Sequence, residues 1–259
     1  MGSGSTGGSR IDARMLVRSA GLRVERQTSD PRTGIRAAED LHRALANAGI
    51  TGPYLLVGHS MGGGQVRLFA NRYPTEVAGL VIVASAHEDW RTRNPFAPPE
   101  DESMDHLFQA IAWLSPTGLP RLFGMLFQPS FAADYVADLR KWLPERAYKS
   151  EITFLAQSKH AQAMADEIRA MRATESEPRR ARDFGDIALI VLSEKWPLPE
   201  RAATRDIEAA RIEDELQEEM SRFSRRGKHV RVDSGHLIPL EKPAAVIDAV
   251  RMVLGMPKE

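Results

Sequence analysis

Tyr54-Leu55-Leu56-Val57-Gly58-His59-Ser60-Met61-Gly62-Gly63 is the stretch that decides the fold of this 259-residue chain. Four apolar residues run directly into a Gly-x-Ser-x-Gly pattern, and a helix-compatible segment, Gly64 to Tyr73, follows. A strand that turns this sharply into a helix places the residue at its tip in strained backbone. The spacing predicts that Gly58 and Gly62, two positions either side of Ser60, let strand and helix approach each other. It also predicts that the Ser60 hydroxyl stands above the end of the strand, with the backbone N–H of Met61 pointing where an oxyanion would form. A glycine-rich turn with a spectator serine has the same short pattern. The strand before it and the helix after it favour a nucleophile.

The flanking sequence extends the alternation of strands and helices. Upstream, Asp30-Pro31 reads as a helix start, and Ile35, Ala38, Leu41, Leu45 and Ala48 recur at helical spacing until Gly49 closes the helix. Downstream, Val66, Phe69, Ala70 and Tyr73 share a helical face that Pro74 ends, and Gly79 to Ala84 is a continuous apolar run. Such runs belong to strands buried on both faces, and strand–helix–strand order predicts a parallel sheet with right-handed crossovers. The sheet resumes at Ile187 to Leu192. A charged helix follows with Ile212, Leu216, Met220 and Phe223 inward, then a strand at His229 to Val232, the loop Asp233-Ser234-Gly235-His236, and a last helix from Pro243 to Leu254.

Between Trp90 and Arg182 no strand pattern occurs, and Leu107 to Phe127 is richer in apolar residues than a solvent-facing helix requires. This predicts a helical insertion whose apolar residues form its own core, line a substrate pocket, or do both. The Arg179-Arg180-Ala181-Arg182 cluster reads as a solvated linker, and Met1 to Arg10 as a flexible Gly/Ser segment. Lysine plus arginine balance aspartate plus glutamate at 35 each, so no net field draws the chain to nucleic acid or anionic lipid. There is no cysteine, which excludes disulfides, thiolate metal sites and a cysteine nucleophile. No His/Asp/Glu grouping has metal-ligand spacing, and no cofactor is expected. No apolar run approaches the ~18 residues of a membrane span, and no signal peptide is evident, so a cytoplasmic protein is expected.

His236 follows a short strand and a glycine, which brings it to the sheet edge where Ser60 emerges. There it can take the proton of Ser60 and return it to a leaving group. His59 reads as support for the turn, and His42, His106, His160 and His229 as structural.

In these residues the chain resembles the α/β-hydrolase family: Gly58-His59-Ser60-Met61-Gly62-Gly63 near the start, and Ser234-Gly235-His236 with Leu240-Glu241-Lys242-Pro243 near the end. The flanks Ala38 to Leu41 and Tyr73 to Val81 share the likeness, which runs from about Asp30 to Leu254. The resemblance implies an α/β fold with a mostly parallel central sheet flanked by helices. It implies a core of residues 30–89 and 183–259, a cap at 90–182, and an N-terminal segment 1–29 that is divergent or flexible. Ser60 is implied as nucleophile and His236 as catalytic histidine, with an acid between them in sequence. Family members place that acid after either of two strands; here those positions hold Trp196 and Ala84. Glu194 is the nearest carboxylate, with Asp89 and Glu88 behind it. The early strands that donate a second oxyanion N–H are not evident, leaving a sheet edge to be covered or paired with another copy of the chain.

The expected activity is a carboxylic-ester hydrolase acting on a small, fairly apolar molecule through an acyl-enzyme on Ser60. A hydrolase fold retained for binding a ligand or partner is the rival from another class. Hydrolase-fold chemistry other than ester cleavage is the third reading.

Overall fold

The computed structural model describes residues 33–97, 139–155, 176–195 and 203–256, with isolated positions at 110, 113, 114, 117 and 170. The readings of 1–29, His106, His160 and Trp196 lie outside these residues, as does most of the apolar stretch from Leu107 to Phe127.

Helix α1 spans Gly34–Asn47. Its cap is Thr33, whose hydroxyl accepts from the Arg36 N–H at 3.2 Å; the Asp30-Pro31 signal lies outside the described residues. The hydroxyl thereby satisfies a first-turn amide that has no intrahelical acceptor. Gly49 closes the helix at φ 67°, as its place in the sequence predicts.

Four strands follow among the described residues, with a helix after each of the first, third and fourth. They are β1 (Tyr54–His59), α2 (Met61–Arg72), β2 (Val77–Val83), then β3 (Ala188–Glu194), α5 (Thr204–Ser221) and β4 (Gly227–Val232). Between β2 and β3 the described residues hold only helical pieces, α3 (Trp90–Arg93) and α4 (Glu145–Leu155) among them. The chain then forms α6 (Ile238–Glu241) and α7 (Pro243–Val253). All strands are parallel, in the order β1-β2-β3-β4.

A sheet that advances in one direction through right-handed crossovers puts every crossover helix on the same face. One core therefore joins Leu45 of α1, Phe69 of α2 and Met220 of α5 to Leu80, Ile82 and Leu189. The opposite face needs a separate cover, which α7 supplies by folding back onto Val81, Val83, Ile190 and Leu192. Burial on both faces explains why β2 and β3 read as unbroken apolar runs. β1 is more open: among the described residues it pairs with β2 alone, and Val57 is 45% exposed.

The sequence reading needs correction at the arginine cluster before β3. Arg179 and Arg180 are exposed, but Ala181 is buried and Arg182 only partly exposed, so the cluster is not simply a solvated linker. Arg67, fully buried on α2, makes a bidentate pair with Glu88 at 2.8 and 2.9 Å. It also donates to the carbonyls of Pro178 and Ala181. Arg182 reaches Glu88 at 2.8 Å and also pairs with Asp89, while Arg179 pairs with Asp89. Glu88 and Asp89, held as reserve candidates for the acid, are thus engaged by guanidinium groups. They lock the loop after β2 to the segment entering β3. Burial alone would push the Glu88 carboxyl up, but the hydrogen bonds and charge of Arg67 outweigh it and hold Glu88 down at about 2.

Candidate active site

The site is assembled at the carboxyl ends of the parallel strands, where open α/β sheets gather their chemistry. Ser60 is the single residue between β1 and α2, at φ 54° and ψ −124°. Few L-residues adopt this backbone, and it costs of order 1–3 kcal/mol. The surroundings enforce it. The Ser60 N–H still donates to Val83 O at 2.9 Å, as though the strand continued, while Gly63 N–H already bonds Ser60 O in the first helical turn. Met61 is the first residue of α2, so its N–H has no intrahelical acceptor.

The glycines divide the work differently from the symmetric reading of the motif. A Cβ on Gly58 would lie 2.3 Å from the backbone oxygen of Gly62. A Cβ on Gly63 would lie 2.3 Å from Ser85 Oγ and 2.4 Å from Ser85 Cβ. A Cβ on Gly62 meets nothing within 4 Å among the described residues. The tight approach therefore involves Gly58 and Gly63. We predict that Gly58→Ala and Gly63→Ala each lower stability by about 1–3 kcal/mol or more, as overpacking does, while Gly62→Ala is neutral or slightly stabilising in its helix. Urea midpoints of the three variants check this, and a Gly62→Ala loss equal to that of Gly63→Ala would contradict it.

His236 lies four residues beyond the end of β4 on a loop that returns across the sheet edge. Its Nε2 is 3.2 Å from Ser60 Oγ, and its Nδ1 is 3.4 Å from Glu194 Oε1. β3 runs two residues further than the apolar stretch suggests, so Glu194 is the last residue of a strand rather than part of a turn. The structure thus brings together the three side chains singled out from sequence. The arrangement can pass a proton from Ser60 Oγ to Nε2 while Nδ1–H donates to the carboxylate through the longer of the two contacts. Burial would raise the Glu194 carboxyl, but the His236 hydrogen bond, with help from a backbone bond and nearby histidine charge, leaves it below its ordinary value.

Some neighbours were not singled out as part of the site. His59 Nε2 lies 2.9 Å from the carbonyl of His236. A cavity of about 290 Å³ behind Glu194 is bounded by Lys195, Ile207, Glu213 and Gln217. Burial foremost, and the Glu194 charge in addition, push the Glu213 carboxyl up. Gln217 donates to both Glu213 and the carbonyl of Ser85, and its own buried carbonyl has no hydrogen-bond partner among the described residues. Neither residue has a local sequence signature, since each is one polar position on a charged helix. His42 pairs with Glu76 and stacks on Tyr73, and His229 lies between Ser193 and Glu218. Ala84, at one of the two family positions for the acid, is buried with φ 45°.

One further group of potential ligands occurs among the described residues. His87, Asp89 and Glu219 bring donor atoms within 4.8 Å of one another. Arg182 approaches both carboxylates, Arg179 holds Asp89 and Arg93 holds Glu219. Their charge is already matched by guanidinium, so a divalent ion would have to displace Arg182, and the group does not suit a metal.

Comparison with known proteins agrees with this architecture. Solved structures with a similar fold include a mutant of a Pseudomonas aeruginosa protein assigned as an epoxide hydrolase (TM-score 0.59, 17% identity, 88% of this chain and 74% of that one). A protein of Acinetobacter baumannii assigned as a lipase matches at TM-score 0.55 with 19% identity, over 88% and 70% of the two chains. A thermophilic esterase from Thermogutta terrifontis matches at TM-score 0.52 with 20% identity, over 91% and 76%. An uncharacterized protein of Schizosaccharomyces pombe is 35% identical over 113 residues, 43% of this chain but only 20% of that protein's length. A protein of Hormonema carpetanum assigned as a transporter is 36% identical over 72 residues, 27% of this chain and 10% of the relative. The family model described as the alpha/beta hydrolase family matches residues 5–249, beginning ahead of Asp30, where the motifs alone place the start of the likeness. With a parallel sheet, a strained serine between strand and helix, and a histidine loop reaching it from the last strand, the chain belongs to the alpha/beta hydrolase family.

Proposed function

We propose that this chain is a serine hydrolase that cleaves an ester-like bond of a small, fairly apolar molecule. Ser60 attacks the carbonyl as His236 removes its proton, and the N–H of Met61 stabilises the oxyanion. His236 then protonates the leaving group, and water attacks the acyl-enzyme with His236 again as base. Glu194 stabilises the imidazolium formed in each half-reaction. The observation that carries this reading is the continuous relay from Glu194 to His236 to Ser60, at 3.4 and 3.2 Å, ending on a strained serine.

The nucleophile's identity separates acyl transfer from epoxide opening, the reaction named for one structural neighbour. Attack by Ser60 on an epoxide carbon would leave an alkyl ether. That product has no electrophilic carbonyl for water to attack, so the enzyme would be consumed in one turnover. An acyl ester on Ser60 can be hydrolysed, and the serine therefore favours ester-like substrates. The apolar character of the substrate is proposed from Leu107 to Phe127, together with the reading of 90–182 as a cap.

A fluorophosphonate probe should label the wild-type protein at Ser60, and Ser60→Ala should abolish labelling. Mass spectrometry of the labelled peptide checks the position. Labelling that persists in the variant, or none in the folded wild type, would overturn the proposal and leave a hydrolase fold that binds without turning over.

A further inference from the structure

We infer that His59 is a positioning residue for the reaction, its Nε2–H holding the peptide of His236 and so tying the base to the turn that carries the nucleophile. This rests on the reading of Ser60 and His236 as nucleophile and base. The side chain of His236 is 51% exposed, so packing restrains it only in part. Its backbone is held instead. On one side the Gly235 N–H donates to Glu241 Oε2 at 3.1 Å, and on the other the His236 carbonyl accepts from His59 Nε2 at 2.9 Å. The second bond fixes the peptide unit that follows the His236 Cα, and the first fixes the Ser234–Gly235 peptide one residue further back. Glu241 lies in α6, but His59 directly precedes Ser60, so the second bond couples the two reacting groups through a single residue. An error of about 1 Å in placing a catalytic group is enough to cost ~100-fold in rate, which gives such a bond its leverage.

The chemistry of the contact fixes the state of the ring. A carbonyl only accepts, so Nε2 of His59 must carry the proton. The two imidazole centroids are 5.0 Å apart and tilted by 45°. A charge on His59 would therefore oppose the imidazolium that forms on His236 during turnover. Burial, the largest influence, lowers the pKa of His59, as does the His236 charge, against the raising effects of the His236 carbonyl and Glu194. His59 can thus supply a donor to the loop without supplying a charge.

The test compares His59→Leu, which removes the donor and keeps bulk, with His59→Gln, whose amide nitrogen can take the place of Nε2. His59→Leu should slow fluorophosphonate labelling of Ser60 and lower kcat by about 10–100-fold with KM nearly unchanged, and His59→Gln should recover to within about threefold. A role in stability alone would lower the Tm of both variants and leave the rate of the folded protein intact, which would overturn the inference. So would equal losses in both variants. Nitrogen-15 NMR of the wild-type imidazoles gives a readout that needs no turnover. His59 is expected neutral at pH 7 with its proton on Nε2, and a charged ring or the Nδ1–H tautomer overturns the inference. Absence of labelling in the wild type would count against Ser60 as nucleophile, while the NMR result would still judge His59.

Discussion

Arg67→Met should cost about 3–5 kcal/mol of folding free energy, the loss expected when one partner of a buried ion pair is removed. Arg67 is fully buried and the Glu88 side chain is 1% exposed, so solvent screens neither charge. Methionine replaces the aliphatic stem of the lost side chain but leaves the Pro178 and Ala181 carbonyls without their guanidinium donor. Arg182 still holds one Glu88 oxygen, which sets the loss below that of a wholly stranded carboxylate. Removing both charges with Arg67→Met and Glu88→Leu together should cost less than the sum of the single changes, by a coupling of about 1–3 kcal/mol. The same pair predicts acid sensitivity. Glu88 is lowered from an ordinary 4.5 to about 2, so its contribution is complete above the unfolded value and disappears as pH falls from about 4.5 toward 2. It amounts to about 3 kcal/mol by linkage, and Glu88→Gln should flatten that limb of the stability curve. Urea unfolding at pH 7 and pH 3 checks both points. A small Arg67→Met loss with an unchanged pH slope would mean that the pair is screened or replaceable.

These effects differ in how far sequence announces them. The turn at Ser60 is legible because strand, glycine, serine and helix are consecutive, and local sterics alone demand the pattern. His236 is legible because a strand end and a loop glycine place it on the same edge as Ser60. Glu194 is harder to see. The apolar run ends at Leu192, and only the ladder with β4, which continues to Glu194 beside Val232, shows that the strand carries the carboxylate to the edge. Gly62 and Gly63 are adjacent and identical in composition, yet the packing of Ser85 and Ile82 against Gly63 distinguishes them. Arg67 was out of reach for a different reason. Between Val66 and Leu68 it reads as one polar position on a helix, and its burial depends on carboxylates and carbonyls 21 to 114 residues away. Local patterns predict where apolar groups go. They do not say which charges will follow them inward, because that depends on partners supplied by the fold.

Glu194→Gln should reduce kcat by about 100–1000-fold with KM little changed, because the lost interaction acts in the transition state. The substitution keeps size and shape while removing the charge that steadies imidazolium on His236. In a serine protease the equivalent loss reaches ~10⁴. A smaller effect is expected here for two reasons visible in the site. The Nδ1 to Oε1 contact is 3.4 Å, and His236 is half exposed, so water shares in solvating the cation. Glutamine also presents an amide that can turn its N–H₂ toward Nδ1, which favours the wrong tautomer and raises the loss again. Initial rates on a short-chain p-nitrophenyl ester, with Ser60→Ala as the blank, separate kcat from KM. Glu213 decides between two explanations if the rate survives, because it faces the same cavity as Glu194 and its carboxyl is pushed up by burial and by that neighbour. Activity retained in Glu194→Gln but lost in Glu213→Gln would move the acid role to α5. Activity retained in both variants would mean that His236 works without an orienting carboxylate from either residue.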